Sequence, residues 1–355
     1  MECKNKPIIL GVAAGKGGVG KSTVTAQLAR AFQKNGAAVG VLDADIYGPS
    51  QIRLLNPLGR PCFDADDRVL PADAAGVKLM SAAFLPQLGE LAVVRAPIAN
   101  ALIEQFFKEV DWGGVDLLLV DFPPGTGDIP ITLMQCVPFH GVVMVTQPQH
   151  LSTSEVERAI RHVIGAGVPI AGLIENMCGM QMPDGSWREL FGPSSVAEIM
   201  KKYPIPSYVS LPFVPSLVSW SDRGLHGFEE GISHPFGNVL IEFAQSLIQR
   251  FEGQAATEED AIHWALEGGM LRIRSKSGWE SQITGAQLAA HCPCVRCRHG
   301  GQASSEATIF HVEPLGQYAV RVLIKGGCSQ GIYPLSLLES IGSSQEVSSH
   351  SEPKA

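Results

Sequence analysis

The residues best suited to chemistry fall in one run near the start of the chain, Gly15-Lys16-Gly17-Gly18-Val19-Gly20-Lys21-Ser22-Thr23. Its spacing is G-x-x-x-x-G-K-[ST], in which glycines let backbone N–H groups turn inward around a phosphate. Lys21 is placed to reach β- and γ-phosphates, and the Ser22 hydroxyl to ligate Mg²⁺. Lys16 adds a second cation directly after the first glycine. Acids follow at the ends of two apolar runs, Asp43 and Asp45 after residues 37–42 and Asp121 after residues 115–120. Ligands of open parallel sheets bind at such carboxyl ends, and an acid in the position of Asp121 holds Mg²⁺ through water. The glycines of Phe122-Pro123-Pro124-Gly125-Thr126-Gly127-Asp128 let backbone approach a γ-phosphate and rearrange when it leaves.

A second chemistry is written in the cysteines. Of eight in the chain, Cys3, Cys62, Cys136 and Cys178 are scattered and read as plain thiols. Cys292, Cys294 and Cys297 form C-x-C-x-x-C, and Cys328 follows a strand-like run. Three thiolates on so short a loop can converge on one metal, and a closed tetrahedral site needs a fourth ligand. Cys328 fits that place, with His291, His299 and His311 as rivals. Thiolate ligands accept Zn²⁺ and a 4Fe–4S cluster alike.

Positioning these residues calls for a particular order of elements. Residues 7–13 are an apolar run of strand length, and residues 24–34 carry apolar side chains at helical spacing, so the phosphate loop joins a strand to a helix. Strands are predicted over 37–42, 77–83, 115–121, 141–146 and 169–174, and helices over 97–110, 152–164 and 239–251. That alternation predicts an α/β class, a P-loop NTPase with a mostly parallel sheet flanked by helices. From residue 270 the pattern changes to alternating strands at 271–275 and 318–324, predicting a small β-rich C-terminal metal-binding domain. The expected boundaries are 1–252 for the nucleotide domain, 253–269 for a linker helix starting near Thr257 and ending at Gly268-Gly269, 270–341 for the cysteine domain and 342–355 for a disordered tail. The chain has 355 residues and a net charge of −8, which disfavours nucleic acid as a partner. The first residues lack a signal-peptide apolar segment, and no apolar run reaches membrane-spanning length, so a cytoplasmic protein without membrane attachment is expected.

The form GKGGVGKS resembles the deviant Walker A loop shared by the nitrogenase iron protein, MinD and ParA ATPases and the Mrp/ApbC iron–sulfur carriers. The residues DADIYGPS from Asp43, Trp112, DFPPGTGD from Asp121, the run 145–149 and Ile174-Glu175-Asn176-Met177 narrow that resemblance to the Mrp/ApbC branch, over about residues 7–250. The resemblance implies a nucleotide-sandwich homodimer in which Lys16 crosses to the partner's nucleotide. It implies that Asp45 helps position the attacking water and that Asn176 contacts adenine. It gives phosphate and Mg²⁺ to Lys16, Lys21, Ser22, Thr23, Asp43 and Asp121. It further implies ATP binding and hydrolysis coupled to carrying iron–sulfur clusters to apo iron–sulfur proteins or an assembly scaffold. The chain departs from that family at one point: where carriers have CPxC after the ENM element, Met182 and Gly185 flank Pro183 and Asp184. Residues 270–340 resemble the zinc-binding N-terminal domain of γ-butyrobetaine hydroxylases, on CPCVRC, Tyr318-Ala319 and the ending 327–333, with Cys328 where that family usually has histidine. An alternative reading is a nucleotide-switched, partner-binding ATPase whose C-terminal domain holds structural zinc.

Overall fold

The computed structural model describes residues 7–85, 96–125, 127–194, 196–221, 235–256, 263–274, 280–292, 307–315, 319–326 and 331–343. The chain divides into two compact units, Met1–Phe251 and Glu252–Ala355.

Unit one begins with β1 (Ile8–Ala14), α1 (Lys21–Lys34), β2 (Val39–Asp43) and α2 (Gln51–Leu55). A small hairpin of β3 (Cys62–Phe63) and β4 (Val69–Leu70) leads to β5 (Ala72–Ala74), β6 (Val77–Ser81) and α3 (Ala96–Glu109). Then come β7 (Leu117–Asp121), α4 (Asp128–Cys136), β8 (Gly141–Thr146), α5 (His150–Gly165) and β9 (Ile170–Asn176). The unit closes with a hairpin of β10 (Met180–Gln181) and β11 (Trp187–Arg188), then α6 (Val196–Lys202), β12 (Tyr208–Leu211), α7 (Pro215–Ser221) and α8 (Pro235–Ala256).

Eight strands form one sheet in the order β12-β9-β8-β1-β7-β2-β6-β5. All neighbours run parallel except β5, which is antiparallel to β6 at the edge. The near-continuous apolar runs that marked these strands are what a sheet covered on both faces requires. Alternation along β7 divides the core: Leu118 and Val120 join α3, α4 and α5 on one face. Leu117 and Leu119 join α1 and α8 on the other. Close layers demand glycine at Gly40, where a Cβ would sit 2.8 Å from the Trp112 ring and 3.0 Å from Leu118 Cδ1.

Unit two repeats one pattern twice. The first half is β13 (His263–Glu267), β14 (Met270–Arg274), β15 (Glu280–Thr284) and α9 (Gly285–Ala290). The second is β16 (Thr308–Leu315), β17 (Ala319–Lys325), β18 (Gly331–Pro334) and α10 (Leu335–Ser343). Each trio is an antiparallel meander, β13-β14-β15 and β16-β17-β18. Ile283 and Tyr333 occupy matching places on the third strands, and Leu288 and Leu338 on the helices, all buried in one shared core. The helices also cross over, α10 packing on β15 and α9 on β16. Tyr333 is fully buried, and its hydroxyl donates to the Leu288 carbonyl at 2.6 Å.

The expected linker helix is corrected. Helix α8 continues through Gly253-Gln254-Ala255-Ala256, and residues 263–267 form β13. Gly268 and Gly269 have φ of 59° and 79° and make the tight turn that pairs Glu267 with Met270. The small domain therefore has a strand before residue 270. Residues 342 and 343 belong to α10 rather than to a tail. The expected helix start at Thr257 and residues 344–355 lie outside the described residues. Among the described residues, no helix is long and apolar enough to cross a membrane.

A methyl group at Gly40 has to displace both Trp112 and Leu118. Gly40→Ala is expected to cost about 1–3 kcal/mol, measured by urea denaturation followed by far-UV circular dichroism.

Candidate functional site

The phosphate loop joins β1 to α1 between Ala14 and Lys21. Gly18 and Gly20 sit at φ of 82° and 83°, a region costly for other residues. A Cβ on Gly18 would meet nothing within 4 Å, and one on Gly17 would meet Pro124 Cβ at 4.0 Å, so this side of the loop is open. Gly15 faces the other way, where a Cβ would strike the Glu155 backbone at 2.5 Å. Helix α1 starts at Gly20 without a side-chain cap or an acid in its first turn. Its first N–H groups and positive dipole end are therefore kept for an anion. That fits a phosphate chain.

Three side chains hold the loop from behind. Asn176, at the end of β9, donates from Nδ2 to the Val19 carbonyl at 2.9 Å, and its Oδ1 accepts from Met177 N at 3.0 Å. A Cβ on Gly20 would lie 2.5 Å from Asn176 Nδ2. Gln147 Nε2 reaches the Gly18 carbonyl at 3.4 Å. Lys16 is half-buried, and its Nζ donates to Gln149 Oε1 at 3.0 Å.

Beside the loop, Asp43 and Asp121 end adjacent strands and face one another in the parallel register. Both are fully buried. Asp121 Oδ1 forms an ion pair with Lys21 Nζ and lies 3.0 Å from Thr25 Oγ1. Asp121 Oδ2 accepts from Gln51 Nε2 at 2.8 Å. Lys21 Nζ also lies 3.2 Å from Ser22 Oγ. Asp43 Oδ2 accepts from Ser50 N and Gln51 N, each at 3.0 Å, and from Ser81 Oγ at 3.2 Å. Asp43 Oδ1 accepts from Asp45 N at 3.2 Å. Burial first, and the Asp121 charge second, raise the Asp43 pKa from 3.8 to about 7. Burial also raises Asp45, whose Oδ1 accepts from Gly48 N at 3.1 Å.

Lys21, Ser22, Asp43, Asp45 and Asp121 thus converge at one end of the sheet, and Lys16 and Asn176 border the same loop. Thr23 is half-buried in the first turn of α1. Four contributors escaped the sequence reading: Thr25, Gln51, Ser81 and Gln147. Thr25 carried a usable signal, a hydroxyl one helical turn after Lys21. The others come from chain segments whose approach only the fold reveals.

The donor set also fits Mg²⁺. Among the described residues no three His, Cys, Asp or Glu side chains gather as a metal-ligand group. Mg²⁺ does not need one, because it keeps several waters and takes one or two protein oxygens with the nucleotide phosphates. Ser22 Oγ is the direct candidate, with Asp43 and Asp121 acting through water.

The cysteine centre is described only at its edge. Thr284 and Gln287 make a reciprocal capping box, with Thr284 N donating to Gln287 Oε1 at 2.8 Å and Gln287 N to Thr284 Oγ1 at 3.3 Å. The helix so started delivers His291 and Cys292, and Cys292 is buried in the unit's core. Cys294, Cys297, Cys328 and His299 lie outside the described residues. His311 is exposed on β16. In unit one, Met182 and Gly185 sit in the β10–β11 hairpin, closed by Met182 N to Ser186 O at 2.8 Å and Gly185 N to Met182 O at 2.9 Å. Asp184 accepts there from Ser186 N at 2.9 Å. Nearby Cys178 is half-buried, and burial with the Glu175 charge pushes its thiol pKa up.

The raised Asp43 pKa has a sign for stability. Its proton binds more tightly in the folded chain than at the ordinary value of 3.8, so stability falls as pH rises from 3.8 to about 7 and then levels. In the ligand-free protein, Asp43→Asn is expected to flatten the decline in melting temperature between pH 5 and pH 8, measured by scanning calorimetry.

Residues 262–339 match the family model for the γ-butyrobetaine hydroxylase-like N-terminal domain. The chloroplastic Fe–S cluster assembly factor HCF101 of Arabidopsis thaliana is 32% identical over 357 residues, covering 94% of this chain and 64% of that protein. An iron–sulfur cluster carrier protein of Aquifex aeolicus is 38% identical over 238 residues, covering 66% of this chain and 65% of the relative. The chain thus spans just under two thirds of the length of these relatives. A nucleotide-binding protein of Archaeoglobus fulgidus, solved with ADP, is 37% identical with a TM-score of 0.55, covering 61% of this chain and 86% of that one. The Mg-ADP complex of MinD from Pyrococcus horikoshii shares the fold at 18% identity and a TM-score of 0.52, covering 70% of this chain and 98% of its own. Residues 5–248 match the model of the ParA-type NUBPL iron-transfer P-loop NTPases, and the chain belongs to that family.

Proposed function

We propose that this chain is an ATP-binding and ATP-hydrolysing carrier or assembly factor that delivers iron–sulfur clusters to apo-proteins and works as a homodimer. The observation that carries the nucleotide half is the ion pair of Lys21 with Asp121 at the uncapped start of α1. It sets the phosphate-seeking lysine beside a carboxylate suited to a hydrated Mg²⁺. Bound Mg²⁺ would neutralise charge on the β- and γ-phosphates. Arriving phosphates compete with Asp121 for Lys21, while Thr25 and Gln51 retain the carboxylate. Asp45 is the candidate for orienting the attacking water, and Asn176 the candidate for contacting adenine. The names of the relatives, one an assembly factor and one a carrier, support the cargo.

Lys16 Nζ donates to Gln149 Oε1 at 3.0 Å, and a second cation beside the phosphate loop supports the dimer reading, in which it crosses to a partner's nucleotide. Lys16→Ala is expected to keep nucleotide affinity within about threefold and to lower hydrolysis at least about 1,000-fold, the low end of the range of a transition-state cation. Nucleotide titration, phosphate release and light scattering with ATP would check it. Unchanged hydrolysis with unchanged dimerisation would remove the trans-acting role.

The closed hairpin at Met182 and Gly185 favours a second reading. With thioether and glycine where carriers have thiolates, cluster or metal binding shifts to Cys292, Cys294, Cys297 and Cys328. If zinc rather than a cluster sits there, the domain is structural and the ATPase is a nucleotide-switched, partner-binding protein. Metal and sulfide analysis with an absorption spectrum, on protein purified without oxygen, separates the two. Iron with sulfide and a visible chromophore, lost in Cys294→Ser/Cys297→Ser, is the outcome expected for the carrier. One zinc per chain, no visible band and zinc loss in the same variant supports the switch.

A further inference from the structure

Gln51 is the first residue of α2 and is fully buried. Its two halves serve different parts of the site. The backbone N–H donates to Asp43 Oδ2 at 3.0 Å. The side-chain Nε2 donates to Asp121 Oδ2 at 2.8 Å and to the Ser22 carbonyl at 3.0 Å. These acceptors also fix which end of the carboxamide is nitrogen, since an oxygen in its place would face two oxygens. One residue therefore ties together β2, β7 and the first turn of α1.

The remaining atom is out of keeping with its surroundings. Gln51 Oε1 is buried and has no hydrogen-bond partner among the described residues, although Asp43 and Asp121 are richly supplied with donors. A buried amide oxygen without a donor is costly, and methionine or leucine would fill the space without that cost. An acceptor kept in such a place has a use when the site is loaded. The other end of the same amide is bonded to Ser22 and Asp121, the residues suited to hydrated Mg²⁺.

We propose that Gln51 is a positioning residue for the divalent cation: Nε2 holds Asp121 in place, and Oε1 accepts a hydrogen from a water in the cation's shell. This rests on the nucleotide·Mg²⁺ reading above. The two halves of the amide act in sequence. When Lys21 turns to phosphate, Asp121 loses its cation partner, and the Nε2 bond keeps the carboxylate oriented. The Oε1 acceptor then orders a water that Asp121 alone does not fix.

The test is ADP affinity with Mg²⁺ and with EDTA, on the full chain and on Gln51→Met, together with Mn²⁺ affinity of the ADP-bound protein by electron paramagnetic resonance. The expected result is that Gln51→Met loses about tenfold or more of the Mg²⁺-dependent gain and a similar factor in Mn²⁺ affinity, with ADP affinity in EDTA within about twofold. An unchanged Mg²⁺ gain, or an equal loss with and without Mg²⁺, overturns the proposal while leaving the nucleotide reading intact. If the wild-type chain binds no ADP in either buffer, the nucleotide reading falls and this inference with it. Should Gln51→Met fail to fold, Gln51→Leu carries the test, because it also removes both amide atoms. The same loss of Mn²⁺ affinity of about tenfold is expected, and an unchanged Mn²⁺ affinity in that variant overturns the proposal.

Discussion

Two carboxylates, Asp43 and Asp121, end neighbouring parallel strands with no exposure to solvent. Like charges so placed repel in a medium that screens them poorly, and each also loses its hydration. Much of the nearby construction answers that problem. Lys21 supplies countercharge to one, while Ser50, Gln51, Ser81 and Asp45 supply hydrogen bonds to the other. Burial still dominates at Asp43, whose pKa rises to about 7. A protein does not assemble such a pair for stability, because apolar residues would fill the space at lower cost. The arrangement makes sense as a site prepared for added positive charge.

The sheet order puts this pair where the chain can serve it. Strand β1 lies between β7 and β8, so the loop after β1 opens beside the carboxyl ends of β7 and, one strand further, β2. Strand β9 lies on the other side and brings Asn176 beneath Val19. Elements distant in sequence thus deliver cation, carboxylates and loop supports to one edge, as doubly wound sheets do at their carboxyl ends. The alternating side chains of β7 anchor both layers that keep the strands in register.

Legibility followed the range of the interactions. Strands covered on both faces leave apolar runs, and the loop leaves a fixed spacing, so the sheet and Lys21, Ser22, Asp43 and Asp121 could be read locally. Gln51, Ser81 and Gln147 could not, because a glutamine or serine carries no local mark of the carboxylate or carbonyl it will meet. Among the described residues of unit two, Thr284-Gly285-Ala286-Gln287 forms a capping box that the sequence reading did not single out. Local signals also compete: Gly268-Gly269 suits a helix end and a hairpin turn equally, and strand pairing at Glu267 and Met270 decides for the turn.

The doubled architecture of unit two bears on how that unit comes to be folded. Because α9 packs on β16 and α10 on β15, each half lacks part of its core until the other arrives. The segment joining the halves runs from Cys292 to Ala307 and carries Cys294 and Cys297. Closing such a segment costs chain entropy before any cross-half contact repays it. The two halves therefore gain their shared core in one step, and a truncation that removed either half would leave the apolar face of the other uncovered.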